Sequence, residues 1–278
     1  MTSVTRRPSQ TTHLCCMKAL LITIFWTLVL STKVLGQFNE IIRSGRPGQA
    51  MGAFTMEKHV LQVQSGIDYF RSIDANGIKK NEEYLSNTVL RYGISRTFEV
   101  SGVVEYKSEN VLQSDVRISN QGLSALDVGM RTQVLTGKGV VPNIAFQVRM
   151  RLPALTGQYE IKNIAPILVL ATSQQLFDKF TLITNWGTSW NGNDSSPKGS
   201  YVVNLSLPLN DRLGAFAETF GSLQRGVFIS NVDAGFVFLL TKDLQVDAYG
   251  GYGMNQGIVD YFVSTGVSWR MKTKARDH

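Results

Sequence analysis

Apolar and polar residues alternate one by one along twelve separate stretches of this chain, and a period of two leaves room for little except extended strands with two unlike faces. The clearest stretch places Ile144, Phe146, Val148, Met150 and Leu152 on one face and Ala145, Gln147, Arg149 and Arg151 on the other. Leu61, Val63, Ile67 and Tyr69 alternate with Gln62, Gln64, Gly66 and Asp68. Near the C-terminus, Val263, Thr265, Val267, Trp269 and Met271 alternate with Ser264, Gly266, Ser268 and Arg270. The stretches fall at 60–73, 82–94, 98–109, 123–136, 142–152, 164–174, 180–190, 199–209, 213–224, 229–240, 244–254 and 261–271. The sixth is the least regular, because Ile167 and Val169 oppose Ile164, Leu168 and Leu170.

One such stretch is best read as a strand of a soluble sheet with a single wet face. Twelve in succession need a second layer to cover the apolar face, and no amphipathic helix follows Gln37 to supply it. Each stretch is longer than the ~5 to 6 residues of an ordinary strand and matches the ~9 to 11 residues of a tilted membrane-spanning strand with overhang. The connections alternate between short polar turns, such as Ser95, Arg96 and Thr97 or Asn210, Asp211 and Arg212, and longer links at 74–81, 110–122 and 191–198. Short turns at one end and long loops at the other mark outer-membrane barrels. The pattern therefore predicts an all-β fold, a closed antiparallel up-and-down transmembrane barrel of about twelve strands over 60–271. The competing soluble β-sandwich would leave the second face unexplained. That face carries Asp68, Arg91, Glu105, Lys107, Asp127, Arg131, Arg149, Arg151, Glu218, Asp233, Asp247 and Arg270 among many Gly and Ser, which suits a wet lumen. Tyr69, Tyr92, Tyr106, Trp186, Trp190, Tyr201, Tyr252, Tyr261 and Trp269 lie toward stretch ends, where interfacial girdles form.

The N-terminal region reads as an address. Lys18 precedes an apolar run from Ala19 to Leu30, and Val34, Leu35 and Gly36 suit cleavage, so residues 1–36 are predicted to be a signal peptide with an N-terminal extension, the start being Met1 or Met17. The run is too short for the ~20 residues of a spanning helix. Residues 37–59 then form a periplasmic segment able to plug the barrel, and 272–278 a basic tail.

Charge sorted by position removes a nucleic-acid role. Residues 1–36 hold four basic side chains and no acid, and 272–278 carry a net +2, so the formal +7 leaves a nearly neutral body with no basic stripe. Cys15 and Cys16 are adjacent and precede the apolar run, and His13, His59 and His278 are scattered, so no metal, cofactor or disulfide framework is expected. Barrel enzymes need a histidine as general base, and His59 before the first strand suits solvent better. No enzymatic activity is expected. Residues 191–195, Asn-Gly-Asn-Asp-Ser, lack the closing Glu of a calcium loop and read as an ordinary outer loop.

Particular residues carry a family likeness: Arg46, Pro47, Gly48 and Gln49, then Phe54, Thr55, Lys58, Leu61 to Gly66, Leu90 to Ile94, and Glu99. From Arg46 to Met271 the chain resembles the outer-membrane barrel family labelled for the MetA pathway of phenol degradation. The resemblance implies a barrel in a Gram-negative outer membrane that passes small molecules, aromatic or hydrophobic ones among them. Its partners would be outer-membrane lipid, the barrel-assembly machinery and a small-molecule solute. The family usually has an acidic residue before the Arg-Pro pair, where Ser44 and Gly45 stand here, a departure that weakens the case for a specific salt bridge of this pair.

Two functions follow. A passive channel or transporter would use Arg91, Arg131, Arg149, Arg151 and Arg270 against Asp68, Glu105, Asp127, Glu218, Asp233 and Asp247 to set solute preference along its path. A closed structural or surface-interaction barrel would instead fill its own lumen, and a strand count between eight and sixteen does not choose.

Overall fold

The computed structural model describes residues 41–74, 79–113, 116–177, 179–255 and 257–273, all within the unit Phe38–His278. The expected signal peptide at 1–36, residues 37–40, His13, Cys15, Cys16 and the tail from residue 274 lie outside the described residues.

The described residues form β1 (Val60–Asp74), β2 (Lys79–Gly93), β3 (Phe98–Gln113), β4 (Val116–Leu135), β5 (Asn143–Arg151), β6 (Ala165–Leu176), β7 (Phe180–Ser189), β8 (Lys198–Pro208), β9 (Leu213–Gln224), β10 (Val227–Thr241), β11 (Leu244–Asn255) and β12 (Ile258–Lys272). Each strand pairs antiparallel with its chain neighbours, and β1 closes onto β12 to complete the barrel. A 3-10 turn, Gly157–Tyr159, lies in the β5–β6 loop. No helix among the described residues is long and apolar enough to cross a membrane.

The expected long link at 110–122 is instead mostly ladder. β3 and β4 stay paired out to Gln113 and Val116, with the Ser119 hydroxyl donating to Asn110 Oδ1 at 2.6 Å. These residues pair without the sustained apolar alternation that marks the other strands in the sequence. The β9–β10 connection is also tight, with Arg225 and Gly226 at positive φ. Length at this end of the barrel therefore comes from strands that overrun as well as from loops. The last strand takes in Lys272, which pairs with Val60.

Register assigns the faces. The outward positions expose Ile67 (60%), Phe236 (56%), Val263 (59%) and Trp269 (50%), among many large apolar side chains. An apolar surface of this extent belongs in hydrocarbon rather than water. The interior is the reverse of a soluble core: its most buried large side chains are Gln62, Glu99, Asp127 and Ser268. Closure leaves no strand edge to solvate, which is what permits strands to cross a bilayer.

Candidate functional site in the barrel interior

Charge and hydrogen bonding inside the barrel are organised around residues 41–59, which have no regular secondary structure. Their backbone groups need partners once away from water, and inward side chains from most of the wall provide them. The segment begins beside β12 and the β10–β11 turn: Ile42 N–H donates to the Lys242 carbonyl at 2.8 Å, and the Ser44 and Ser268 hydroxyls lie 2.6 Å apart. Glu218 on β9 accepts the N–H groups of Gln49 (2.5 Å) and Ala50 (3.2 Å). Asn185 on β7 brackets Met51, accepting its N–H at 2.6 Å and donating to its carbonyl at 2.8 Å. The Ala53 N–H donates to the Ser173 hydroxyl on β6, and Ala53 packs against Ala145 and Ala171, small residues that leave space for it. On β4, Arg131 donates to the carbonyls of Gly52 and Phe54, and on β3 Glu99 accepts the Met56 N–H at 2.6 Å. Wall carboxylates thus meet the segment's N–H groups, and wall guanidiniums meet its carbonyls.

Arg46 has the most elaborate seat. Its Nη2 lies 3.0 Å from Asp247 Oδ1 and donates to the Ser264 hydroxyl at 2.8 Å, while its carbonyl accepts from Gln245. Arg46 makes a specific ion pair although no acid precedes the Arg-Pro pair, and its partner is a wall residue 201 positions away. The missing neighbour acid is replaced by one on β11. Burial lowers the Arg46 guanidinium, while Asp247, Tyr249 and Asp68 together raise it, and the net shift is upward. Gly66 and Gly266 oppose each other across β1 and β12, and a Cβ on either would come within 2.3 Å of the guanidinium group. The side chain lies flat on this glycine pair. Gly48 sits at φ +83° against Phe216 and Glu218, so the Arg46 to Gln49 motif shapes the segment to the wall, with Pro47 following Arg46 through a cis peptide bond. Gly266→Ala is expected to fold yet unseat Arg46. In a double-mutant cycle read by heat-dependent gel mobility, Arg46→Ala should then cost much less in the Gly266→Ala background than in the parent; equal costs would refute the seat.

The remaining charges form separate groups. Arg91 makes a bidentate pair with Glu99, both contacts at 2.8 Å, and Arg131 lies 3.5 Å from the same carboxylate while also donating to Gln147. Asp127 is shared by Arg151 at 2.8 Å and Arg149 at 3.8 Å. Glu105 accepts from the Ser124 hydroxyl, and Asp68 from the Ser264 hydroxyl. Arg270 reaches the Asp243 carboxylate and the Ile41 carbonyl at the end where both barrel termini lie. Asp233 faces Glu218 across the β9–β10 ladder. Inward arginines thus gather on β2, β4 and β5, as Arg91, Arg131, Arg149 and Arg151, while Glu218, Asp233 and Asp247 stand on the adjacent strands β9 to β11. In the loop at 191–195, Asn191 Oδ1 accepts the N–H groups of Asn193 and Asp194. The Ser196 N–H, first among its partners, holds Asp194 below the usual carboxylate range.

Two features escaped the sequence reading. Glu99 appeared there only as part of a family likeness, although it is 1% exposed and central to the arginine cluster. Five aromatic side chains, Phe70, Phe216, Phe220, Tyr249 and Phe262, form a packed patch on the inner wall, with ring centroids 5.2 to 6.3 Å apart in successive pairs. Their signal was parity: Phe70 follows Asp68 by two, Phe216 and Phe220 flank Glu218 by two, and Tyr249 follows Asp247 by two.

A closed, lipid-facing antiparallel barrel of twelve strands with a polar interior is the architecture of a Gram-negative outer-membrane protein. The chain belongs to the family described as "Putative MetA-pathway of phenol degradation", which it matches over residues 44–271. No curated protein matches it. Among solved structures it is similar to an outer membrane channel from Pseudomonas putida F1, at 10% identity and TM-score 0.63, covering 81% of this chain and 99% of that one. It is also similar to the translocator domain of the autotransporter NalP from Neisseria meningitidis, at 11% identity and TM-score 0.51, covering 94% and 97%. The β-domain of a Bordetella autotransporter matches at 11% identity and TM-score 0.51, covering 76% and 100%. At these identities the barrel fold is what is shared.

Proposed function

We propose that this barrel is a passive outer-membrane conduit for small aromatic or hydrophobic molecules, with residues 41–59 acting as a plug that closes it in the state described. The inner aromatic patch carries this reading. A wall that served only to hold the plug would need hydrogen-bonding groups, whereas Phe70, Phe216, Phe220, Tyr249 and Phe262 offer ring faces and edges that suit an aromatic solute. The family's association with phenol degradation agrees with it, and so does the match to a bacterial outer membrane channel. Arg149, Arg151 and Asp127, which pair with one another and not with the plug, are the charges we assign to the path beyond it. No catalytic step is assigned: His59 Nδ1 lies 3.2 Å from the Tyr92 hydroxyl, a contact that anchors the foot of β1. Lipid and the assembly machinery are the macromolecular partners this reading entails.

Proteoliposomes holding the folded chain should admit a phenol-like solute faster than a sugar of similar size, and Phe220→Ala with Phe262→Ala should narrow that preference. Absence of flux for either solute from a correctly folded barrel would defeat the conduit reading and leave a closed structural barrel, which the hydrogen-bonded segment in the bore would then explain.

A further inference from the structure

Asp233 and Glu218 stand directly opposite each other on β10 and β9, and each is 5% exposed. Their surroundings differ sharply. Glu218 accepts three hydrogen bonds, from the N–H groups of Gln49 and Ala50 and from the Asn204 side-chain amide at 2.9 Å. Asp233 accepts none: both of its carboxyl oxygens are closed off from water and have no hydrogen-bond partner among the described residues.

The facing elements offer no counter-charge. On β9, Phe216 and Phe220 flank Glu218; on β11, Gly251 lies beside Asp233, with Tyr249 two positions on. The Phe262 ring from β12 and the Asp233 Cβ both crowd the space over Gly251. Farther along β11, Asp247 is engaged by Arg46, the cation that the segment brings to this side, while Asp68 on β1 is met by Ser264. Two adjacent carboxylates in a closed apolar setting cannot both stay ionised without a cation between them. Oxygens inaccessible to water leave no room for a hydrated ion.

We infer that Asp233 and Glu218 form a proton-binding site, in which Asp233 carries one proton and shares it with Glu218. The proton lets Glu218 remain the single anion of the pair, free to clasp the main chain at Gln49 and Ala50. The pair is thereby a latch on the segment, and it is independent of which solute the barrel passes.

Infrared difference spectroscopy tests the site in the full-length, detergent-folded protein, with folding verified by heat-dependent gel mobility. At neutral pH, wild type minus Asp233→Asn should contain a carboxylic-acid carbonyl stretch that shifts in heavy water. Because the native state holds a proton that the unfolded chain gives up, wild-type stability should fall as pH rises from about 4, where an unfolded Asp ionises, through neutral, and level off once the native pair loses its proton. The mobility midpoint should drop accordingly, and Asp233→Asn should flatten that dependence. A folded wild type without the acid band overturns the proposal. So does a bound metal ion whose removal by chelator is what brings the band out, since a metal would then be the native occupant. Glu218→Gln keeps the test open should Asp233→Asn fail to fold, because loss of the shared carboxylate must move the frequency of the same band, and an unmoved band would overturn the sharing.

Discussion

Deleting residues 41–56 from the otherwise intact chain is expected to leave a closed barrel whose conductance in a planar bilayer far exceeds that of the full-length protein. The segment meets wall residues on β12, β11, β9, β7, β6, β4 and β3 in that order, and so runs round most of the inner wall instead of lining one side. Removing a hydrogen-bonded strand from a dry core would orphan every partner, at a cost of about 1–3 kcal/mol for each buried group left unsatisfied. Here the space vacated would open inside the closed barrel, where water can enter and hydrate Glu218, Asn185, Arg131 and Glu99. The inter-strand ladder does not pass through the segment, and heat-dependent mobility should survive the deletion. Twelve strands can enclose a path once the interior side chains no longer fill it. Unchanged conductance from a folded deletion variant would show that residues 41–56 do not close the barrel, and the plug would be abandoned.

The fold was legible because lipid and lumen impose opposite chemistry on alternate residues, and that difference survives in any stretch long enough to count. Gln62, Gln64, Gly66 and Asp68 against Leu61, Val63, Ile67 and Tyr69 already assigned the faces of β1 before any pairing was known. Where the chain leaves the bilayer the contrast fades, which is why 116–122 looked like loop and is strand. The interior contacts were hidden for a different reason. Alternation states which way a side chain points, but the partner depends on cross-strand register and on the course of an irregular segment. Arg46 and Asp247 are 201 positions apart, and the glycine pair that seats the guanidinium comes from strands at opposite ends of the chain. Of the charges that looked like a free lumen field, Arg91, Arg131, Glu218 and Arg270 hold main-chain groups of the segment, and most of the others pair with side chains. Phe216 and Phe220 were overlooked for a related reason, since an apolar residue at a wet position reads as noise until its neighbours on β11 and β12 are in place.

Glu99→Ala should be the most destabilising single substitution in the arginine cluster, by about 3–5 kcal/mol, because it strips the carboxylate from two buried cations at once. Arg91 is 2% exposed and loses both of its 2.8 Å contacts, while Arg131, 8% exposed, loses the carboxylate 3.5 Å away and keeps Gln147. The Met56 N–H loses its acceptor as well. Glu99→Gln preserves shape and one acceptor but no charge, so it should fall between Ala and wild type. Replacing Arg91 and Glu99 together by Met should recover part of the loss, since an apolar pair of similar volume carries no unpaired charge. Mobility midpoints and urea unfolding of the folded barrel check the series. A Glu99→Ala variant within about 0.5 kcal/mol of wild type, the range of ordinary surface changes, would mean that water already reaches Arg91 and Arg131. The cluster would then belong to an aqueous path and not to the packed foot of the segment, and ionic solutes would become the better candidates for passage.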